Sequence, residues 1–250
     1  MPTLDGKVAV VTGAAGGMGR VICDRLAGLG ASVAAVDLNE EGITDLVVEL
    51  RRKHAAKCIS VTCDVSSSES VKRMTATVES KLGHTNILVN GAGYLQLVNF
   101  LDLTEEDWDK MLDVNLKSVF LVTQALLPGM METKYGRVIT ISSLAGKVGG
   151  IIAGIHYATT KGAHLAFTKS LARLIGPLGF TANCVCPYMT DTDMADVYTD
   201  EQIEAFETQN PMGRLGKAED MAAAVAFLAS PEASFINAEM MDVDGGYTAD

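Results

Sequence analysis

The sequence predicts a single α/β domain, a doubly wound parallel sheet of about seven strands with helices on both faces. Two observations carry this. Short runs rich in Val and Ile alternate with helix-length segments along all 250 residues, the rhythm of strand–helix–strand units. The composition is 48% hydrophobic but only 6% aromatic, as befits strands buried between two layers of helices.

The expected strands, in order, are Val8–Val11, Ser32–Val36, Cys58–Cys63, Ile87–Val89, Val138–Ile141, Ala182–Cys186 and Met240–Val243. Each is short and bounded by Gly, Asp, Asn or Ser. Between the first two, Val21, Ile22, Leu26 and Leu29 mark one apolar helix face, with Gly30 as its stop. Thr104-Glu105-Glu106-Asp107 starts another helix with a capping hydroxyl and acids in the first turn. Ala222–Leu228 is a third, strongly apolar one. No repeat, low-complexity tract or linker divides residues 1–250. From 190 to 216 the rhythm breaks. The stretch is acidic (Asp191, Asp193, Asp196, Asp200, Glu201, Glu204), with a short helix expected at Glu201–Glu207 and a break at Pro211. It reads either as a lid over a site or as a plain surface excursion.

The formal charge is −11, from 31 acidic and 20 basic residues. A nucleic-acid footprint is basic, and anionic membranes repel acidic surfaces, so both partner classes are set aside. A small anionic ligand held by backbone N–H groups remains compatible. Five cysteines (Cys23, Cys58, Cys63, Cys184, Cys186) match no zinc spacing, so no metal is expected. Cys184 and Cys186 alternate in an apolar run as small core residues. No disulfide framework is implied, which suits a reducing cytoplasm. Residues 1–7 show no leader pattern, and no apolar run approaches the ~20 residues of a membrane span.

Val8–Val11 runs into Thr12-Gly13-Ala14-Ala15-Gly16-Gly17-Met18-Gly19 ahead of a helix. Strand, glycine-rich turn, helix lets backbone N–H groups meet a pyrophosphate at a positive helix end. No Gly-Lys-Ser/Thr follows, which excludes a nucleoside-triphosphate loop. Asp37 ends the second strand, where an acid accepts the adenosine ribose hydroxyls of a Rossmann-type site. It would repel a 2′-phosphate, and no Arg or Lys stands at Ala14, Ala15, Leu38 or Asn39 to hold one. The expected cofactor is NAD. Tyr157 and Lys161, four residues apart, share one helix face. A cation there lowers a phenol that otherwise titrates near ~10.

Together these motifs resemble the short-chain dehydrogenase/reductase family over nearly the whole chain. Asn115, Ser143, Tyr157 and Lys161 match its catalytic tetrad in order and spacing. Gly13, Gly17, Met18 and Gly19 match its cofactor loop; Asp64-Val65 its adenine contact; Asn90-Gly91-Ala92-Gly93 its sheet motif; and Pro187, Thr192 and Asp244-Gly245-Gly246 also fit. The resemblance implies that Tyr157 is the general acid/base and that Ser143, rather than Ser142, holds the substrate oxygen. Lys161 would lower Tyr157 and hold the nicotinamide ribose, and Asn115 would anchor a water linking Lys161 to solvent. Three departures stand out: Gly91 for the second Asn, Tyr188 for the glycine after Pro187, and Asn237-Ala238 without the usual glycine.

Pocket residues implied by the pattern are Tyr94, Leu95, Gln96, Leu144, Ile151, Ile152, His156, Tyr188, Met189 and Met194, with Gln96 and His156 as polar anchors. Tyr188 is expected as a pocket wall, with packing under the lid as its alternative. The substrate expected is a bulky, largely apolar secondary alcohol or its ketone, β-hydroxyacyl thioesters included. A 3-oxoacyl thioester reductase is the alternative, and a non-catalytic NAD-binding subunit a further one. The resemblance implies a homotetramer through the helices carrying Trp108, Met111, Leu112 and Phe120 and Ala222–Leu228. It leaves a hetero-oligomer with a related subunit open.

Overall fold

The computed structural model describes residues 3–150 and 152–248; Ile151, one of the pocket residues read from the sequence, lies outside them. Seven parallel strands form one sheet: β1 (Val8–Thr12), β2 (Ser32–Asp37), β3 (Cys58–Thr62), β4 (Ile87–Asn90), β5 (Arg137–Ile141), β6 (Thr181–Pro187) and, last in the chain, β9 (Met240–Val243). Their order is β3-β2-β1-β4-β5-β6-β9. Every strand read from the sequence is present, within a residue or so of its expected ends.

Alternation along each strand builds two cores. Ala9, Val11, Val33 and Ala35 face α1 (Gly17–Gly28), α2 (Glu40–Lys53) and α9 (Ala218–Ala229), meeting Ile22, Leu26, Leu46, Leu50 and Val225. Val8, Val10, Ala34 and Val36 face α3 (Ser68–Leu82), α5 (Ser118–Thr133) and α7 (Ile155–Ile175), meeting Met74, Leu126 and Ile175. Gly30, at φ 95°, stops the first helix as expected.

The helix opened by Thr104 is α4 (Glu105–Leu112), and the Thr104 hydroxyl caps it by accepting from Asp107 N at 3.1 Å. It continues into α5 through a widened π turn at Asp113–Lys117. Glu105–Thr133 is long and apolar enough by composition to cross a membrane. Here Val119, Val122, Leu126 and Met130 of that run are core residues.

The segment 190–216 folds into a two-residue strand β7 (Thr190–Asp191), a tight turn at Asp193–Val197, and α8 (Asp200–Gln209) with a capping box from Thr199 and Gln202. It closes on β8 (Gly216–Lys217), paired in parallel with β7.

The glycine missing before the last strand leaves a mark. Ala238 sits at φ 64°, a left-handed conformation that costs an L-residue roughly 1–2 kcal/mol. Ala238→Gly relieves this at some cost in unfolded-chain entropy. The expected result is a gain of about 0.5–1 kcal/mol, read as a raised urea midpoint with an unchanged slope.

Candidate active site

The sheet order reverses between β1 and β4, and their C-terminal ends open a crevice there. Thr12 joins the two ends: its hydroxyl accepts from Gly91 N at 3.0 Å and Ala92 N at 3.1 Å. Asn90, buried at the end of β4, donates to Thr123 Oγ1 at 3.2 Å and ties the strand to α5.

The glycine-rich turn is shaped by close approaches. A Cβ at Gly13 (φ 70°) would lie 2.7 Å from the Gly91 carbonyl, and one at Gly19 only 2.1 Å from the Gly13 carbonyl. Gly17 faces Thr192, whose Cβ would be 3.2 Å from its own. Thr192 thus stands over the start of α1. Asp37 spreads its carboxylate over two backbone donors, Ala15 N and Asn39 N, each at 3.0 Å. Arg20, the cation nearest in sequence to the loop, is turned to the Gly42 carbonyl and Glu49. Asp64 Oδ1 accepts from Ser66 N and Oγ, fixing the turn into α3 with Val65 buried beside it. Loop, acid and crevice fit a dinucleotide, with backbone amides for its phosphates. A cleft of about 390 Å³ lies between Gly17 and Asp191, Thr192, Asp193 and Asp196; none of the tetrad lines it.

The tetrad residues converge from three elements. Tyr157 and Lys161 are buried on the first turns of α7. The short helix α6 (Ala145–Val148) crosses α7 so tightly that a Cβ on Gly146 would meet the Lys161 carbonyl carbon at 2.5 Å. That contact brings the Ser143 hydroxyl close to the Tyr157 phenol. Ser142 is spent elsewhere, donating to the Lys161 carbonyl at 2.8 Å, so the hydroxyl at the phenol is that of Ser143. The loop after β4 completes the wall: a Cβ on Gly93 would sit 3.7 Å from Lys161 Nζ. Asn115 lies in the π turn and clamps that loop, with Oδ1 accepting from Tyr94 N at 2.8 Å and Nδ2 donating to Tyr94 O at 2.9 Å.

Several expectations need correction. Lys161 does not lower Tyr157 in this arrangement. Its ammonium donates to the Ile141 carbonyl at 2.9 Å and lies 5.5 Å from the Tyr157 ring centre. Burial therefore dominates and pushes the phenol up to about 12, with the Ser143 hydroxyl opposing and Tyr198 adding to the rise. Burial likewise brings Lys161 down to about 8. The Asn115 carbonyl accepts from His164 Nε2 at 2.7 Å.

Tyr188 takes the packing role. Its hydroxyl donates to the Phe206 carbonyl at 2.9 Å, and its ring lies between Phe206 (6.1 Å) and Tyr247 (4.7 Å). Leu144 joins the same buried cluster with Cys184, Cys186 and Met240, and Met189 packs on its edge. Gln96 is not a free anchor: its Nε2 donates to Asp107 at 2.9 Å. His156, expected as a polar anchor, is fully buried. Ile152 and Met194 are exposed; Tyr94 is half-buried, with Lys110 Nζ 4.8 Å from its ring centre.

Two residues near the chemistry are absent from the sequence reading. Tyr198 comes close enough to Tyr157 to disfavour its phenolate, and its ring packs on Phe206 at 5.4 Å. Nothing in the local sequence marks it. His164 is also missed, although it falls three residues beyond Lys161 on a helix and so shares its side.

Comparison with known proteins agrees with this geometry. Residues 13–248 match the family model described as enoyl-(acyl carrier protein) reductase. The chain is 38% identical to the 3-oxoacyl-(acyl-carrier-protein) reductase FabG of Vibrio cholerae, covering 97% of this chain and 98% of that one. The same-named protein of Escherichia coli is also 38% identical, with 97% of each covered. Among solved structures, gox2181 superposes with a TM-score of 0.95 at 33% identity, covering 99% of this chain and 98% of that chain. The Brucella melitensis short-chain dehydrogenase/reductase of glucose/ribitol dehydrogenase type gives 0.91 at 30%, covering 98% of both.

Proposed function

This chain belongs to the short-chain dehydrogenase/reductase family, and from that premise we propose that it is an NAD(H)-dependent reductase of 3-oxoacyl thioesters. The observation that carries the substrate class is the whole-length likeness to proteins named for that reaction. It favours the thioester alternative over the broader reading of a bulky secondary alcohol. The intact tetrad speaks against a non-catalytic binding subunit.

The dinucleotide would lie along Gly13, Gly17, Met18 and Gly19, with Asp37 on the adenosine ribose, Asp64 and Val65 at the adenine, and Asn90, Ala92, Gly93, Pro187 and Thr192 around the far ring. When bound, it supplies the hydride. The chain's own residues do the rest. Ser143 donates to the ketone oxygen and supports the charge that develops there. Tyr157, a protonated phenol at neutral pH, delivers the proton to that oxygen. Lys161 holds the ribose and keeps a positive charge beside the phenol. The segment 190–216 acts as the lid, excluding water through its Tyr198 and Phe206 rings. The acyl group would run past Tyr94, Ile152 and Met189.

Two features choose between forms of the substrate and cofactor. A carrier-protein partner wants a basic patch, yet Arg137 is buried and Lys147 is paired with Asp242 at 2.6 Å; the reading therefore takes a coenzyme A thioester. Asp37 sets the cofactor. NADH and NADPH are to be compared in the reduction of acetoacetyl-CoA, followed by absorbance. The expected kcat/KM ratio favours NADH by about tenfold or more, a difference of about 1.4 kcal/mol, and Asp37→Ala narrows it. NADPH preference in the unaltered protein would overturn the cofactor assignment. Oxidation of cyclohexanol with no turnover of the thioester would return the substrate to the broader class. Phe120 and Phe227 are about two-fifths exposed while Met111 is core, so the proposed homotetramer would use the outer sides of α5 and α9.

A further inference from the structure

We propose that His164 is a positioning residue for Lys161: it grips the Asn115 carbonyl with Nε2–H and presents a bare Nδ1 to the ammonium, so that the lysine keeps its proton in a buried site. The inference rests on the tetrad reading above.

His164 is 1% exposed and lies three residues along α7 from Lys161, on the same side of the helix. Its Nε2 is 2.7 Å from the Asn115 carbonyl oxygen. A carbonyl only accepts, so Nε2 carries the hydrogen. Burial holds the ring neutral, down to about 3, and the nearby Lys161 charge acts in the same direction. A neutral imidazole has one N–H, which leaves Nδ1 as an acceptor. That atom is buried and has no partner among the described residues.

The donor at hand is Lys161. Its Nζ donates to the Ile141 carbonyl at 2.9 Å, and its charge reaches the His164 ring. Lys161 spends one N–H there and has two more, one of which can reach Nδ1 through a bridging water. The other titratable groups packed around the ring leave this arrangement alone. Cys184, on β6, is a thiol pushed up to about 11, and Cys186 one pushed up to about 12. Asp113 and Lys117 of the π turn pair with each other at the surface, 3.1 Å apart.

The sign of the effect follows. An acceptor at Nδ1 favours the charged lysine and opposes the desolvation that already lowers it. Without that acceptor Lys161 loses its proton at lower pH. Ketone reduction needs the ammonium beside a protonated Tyr157, so the alkaline limb of the rate profile reports Lys161.

The test measures kcat and KM for NADH-dependent reduction of acetoacetyl-CoA from about pH 6 to 10 in the full chain, for wild type, His164→Leu and His164→Gln. For His164→Leu the expected alkaline limb lies at least about half a pH unit lower, with KM for NADH within about twofold of wild type. His164→Gln offers an amide N–H to Asn115 but no acceptor at the Nδ1 position; it recovers the optimum rate but not the limb. An unmoved limb in both variants overturns the proposal. A wild-type measurement covers the case of a variant that does not fold. Nitrogen-15 NMR of labelled histidine is expected to show a neutral Nε2–H ring whose Nδ1 signal moves as Lys161 titrates. A Nδ1–H tautomer, or a ring that becomes charged near neutral pH, overturns it. Failure of the underlying tetrad reading shows separately, as unchanged turnover in Tyr157→Phe.

Discussion

Tyr157→Phe is expected to lower turnover by about 10²–10⁴-fold while leaving NADH binding intact. That range is what positioned proton transfer contributes, and it corresponds to roughly 3–5 kcal/mol of barrier. The substitution removes one oxygen from a ring that is 8% exposed, so the packing of α7 is retained. Two neighbours lose the phenol: Ser143, whose hydroxyl favours its charged form, and Tyr198, which disfavours it. Neither belongs to the glycine-rich loop, so a fluorescence titration with NADH should be indistinguishable from wild type. Steady-state rates at saturating NADH and acetoacetyl-CoA read the effect. A variant that keeps more than about a tenth of wild-type kcat would remove Tyr157 from the chemistry.

Gly19→Ala is expected to abolish measurable NADH binding and to cost about 3 kcal/mol of stability, at the upper end of what overpacking usually costs. A methyl group there would sit 2.1 Å from the Gly13 carbonyl oxygen and 2.8 Å from its carbon. Both are backbone atoms of the loop that is to hold the pyrophosphate, so the loop itself must move. Gly83→Ala is the control. It has φ 94° but open space around the added atom, so it reports backbone strain alone and leaves NADH affinity as it was. Urea unfolding and NADH titration of the two variants separate loop geometry from general destabilisation. Wild-type NADH affinity in Gly19→Ala would mean that this turn does not carry the cofactor.

What the sequence made legible follows from range. Strand positions came from local alternation and β-branched residues, and Val8–Val11 or Cys58–Cys63 needed nothing distant to be recognised. The tetrad was legible because its members sit at fixed offsets, and folding brought Ser143 to Tyr157 through the Gly146 crossing. The misreadings all concern side chains whose partners lie far along the chain. Tyr188 finds the Phe206 carbonyl 18 residues on, and Gln96 finds Asp107 across a loop. His164 meets Asn115 from 49 residues away. Neighbour-based reasoning has no access to such pairings. The raised phenol of Tyr157 belongs with them: spacing predicts that Lys161 is near, but not that its ammonium turns to a backbone carbonyl.

Phe206 is bracketed by Tyr188 on one side and Tyr198 on the other. Swinging α8 outward as a body would separate three rings and break the Tyr188 hydroxyl bond, whereas the polar turn from Thr192 to Val197 can shift with little apolar surface lost. On the lid reading proposed above, the door therefore opens at its latch and not at its hinge. Since the latch residue Thr192 leans on Gly17, anything that steadies the glycine-rich turn also steadies the door. On the proposed function, an acyl substrate enters best after the turn is filled.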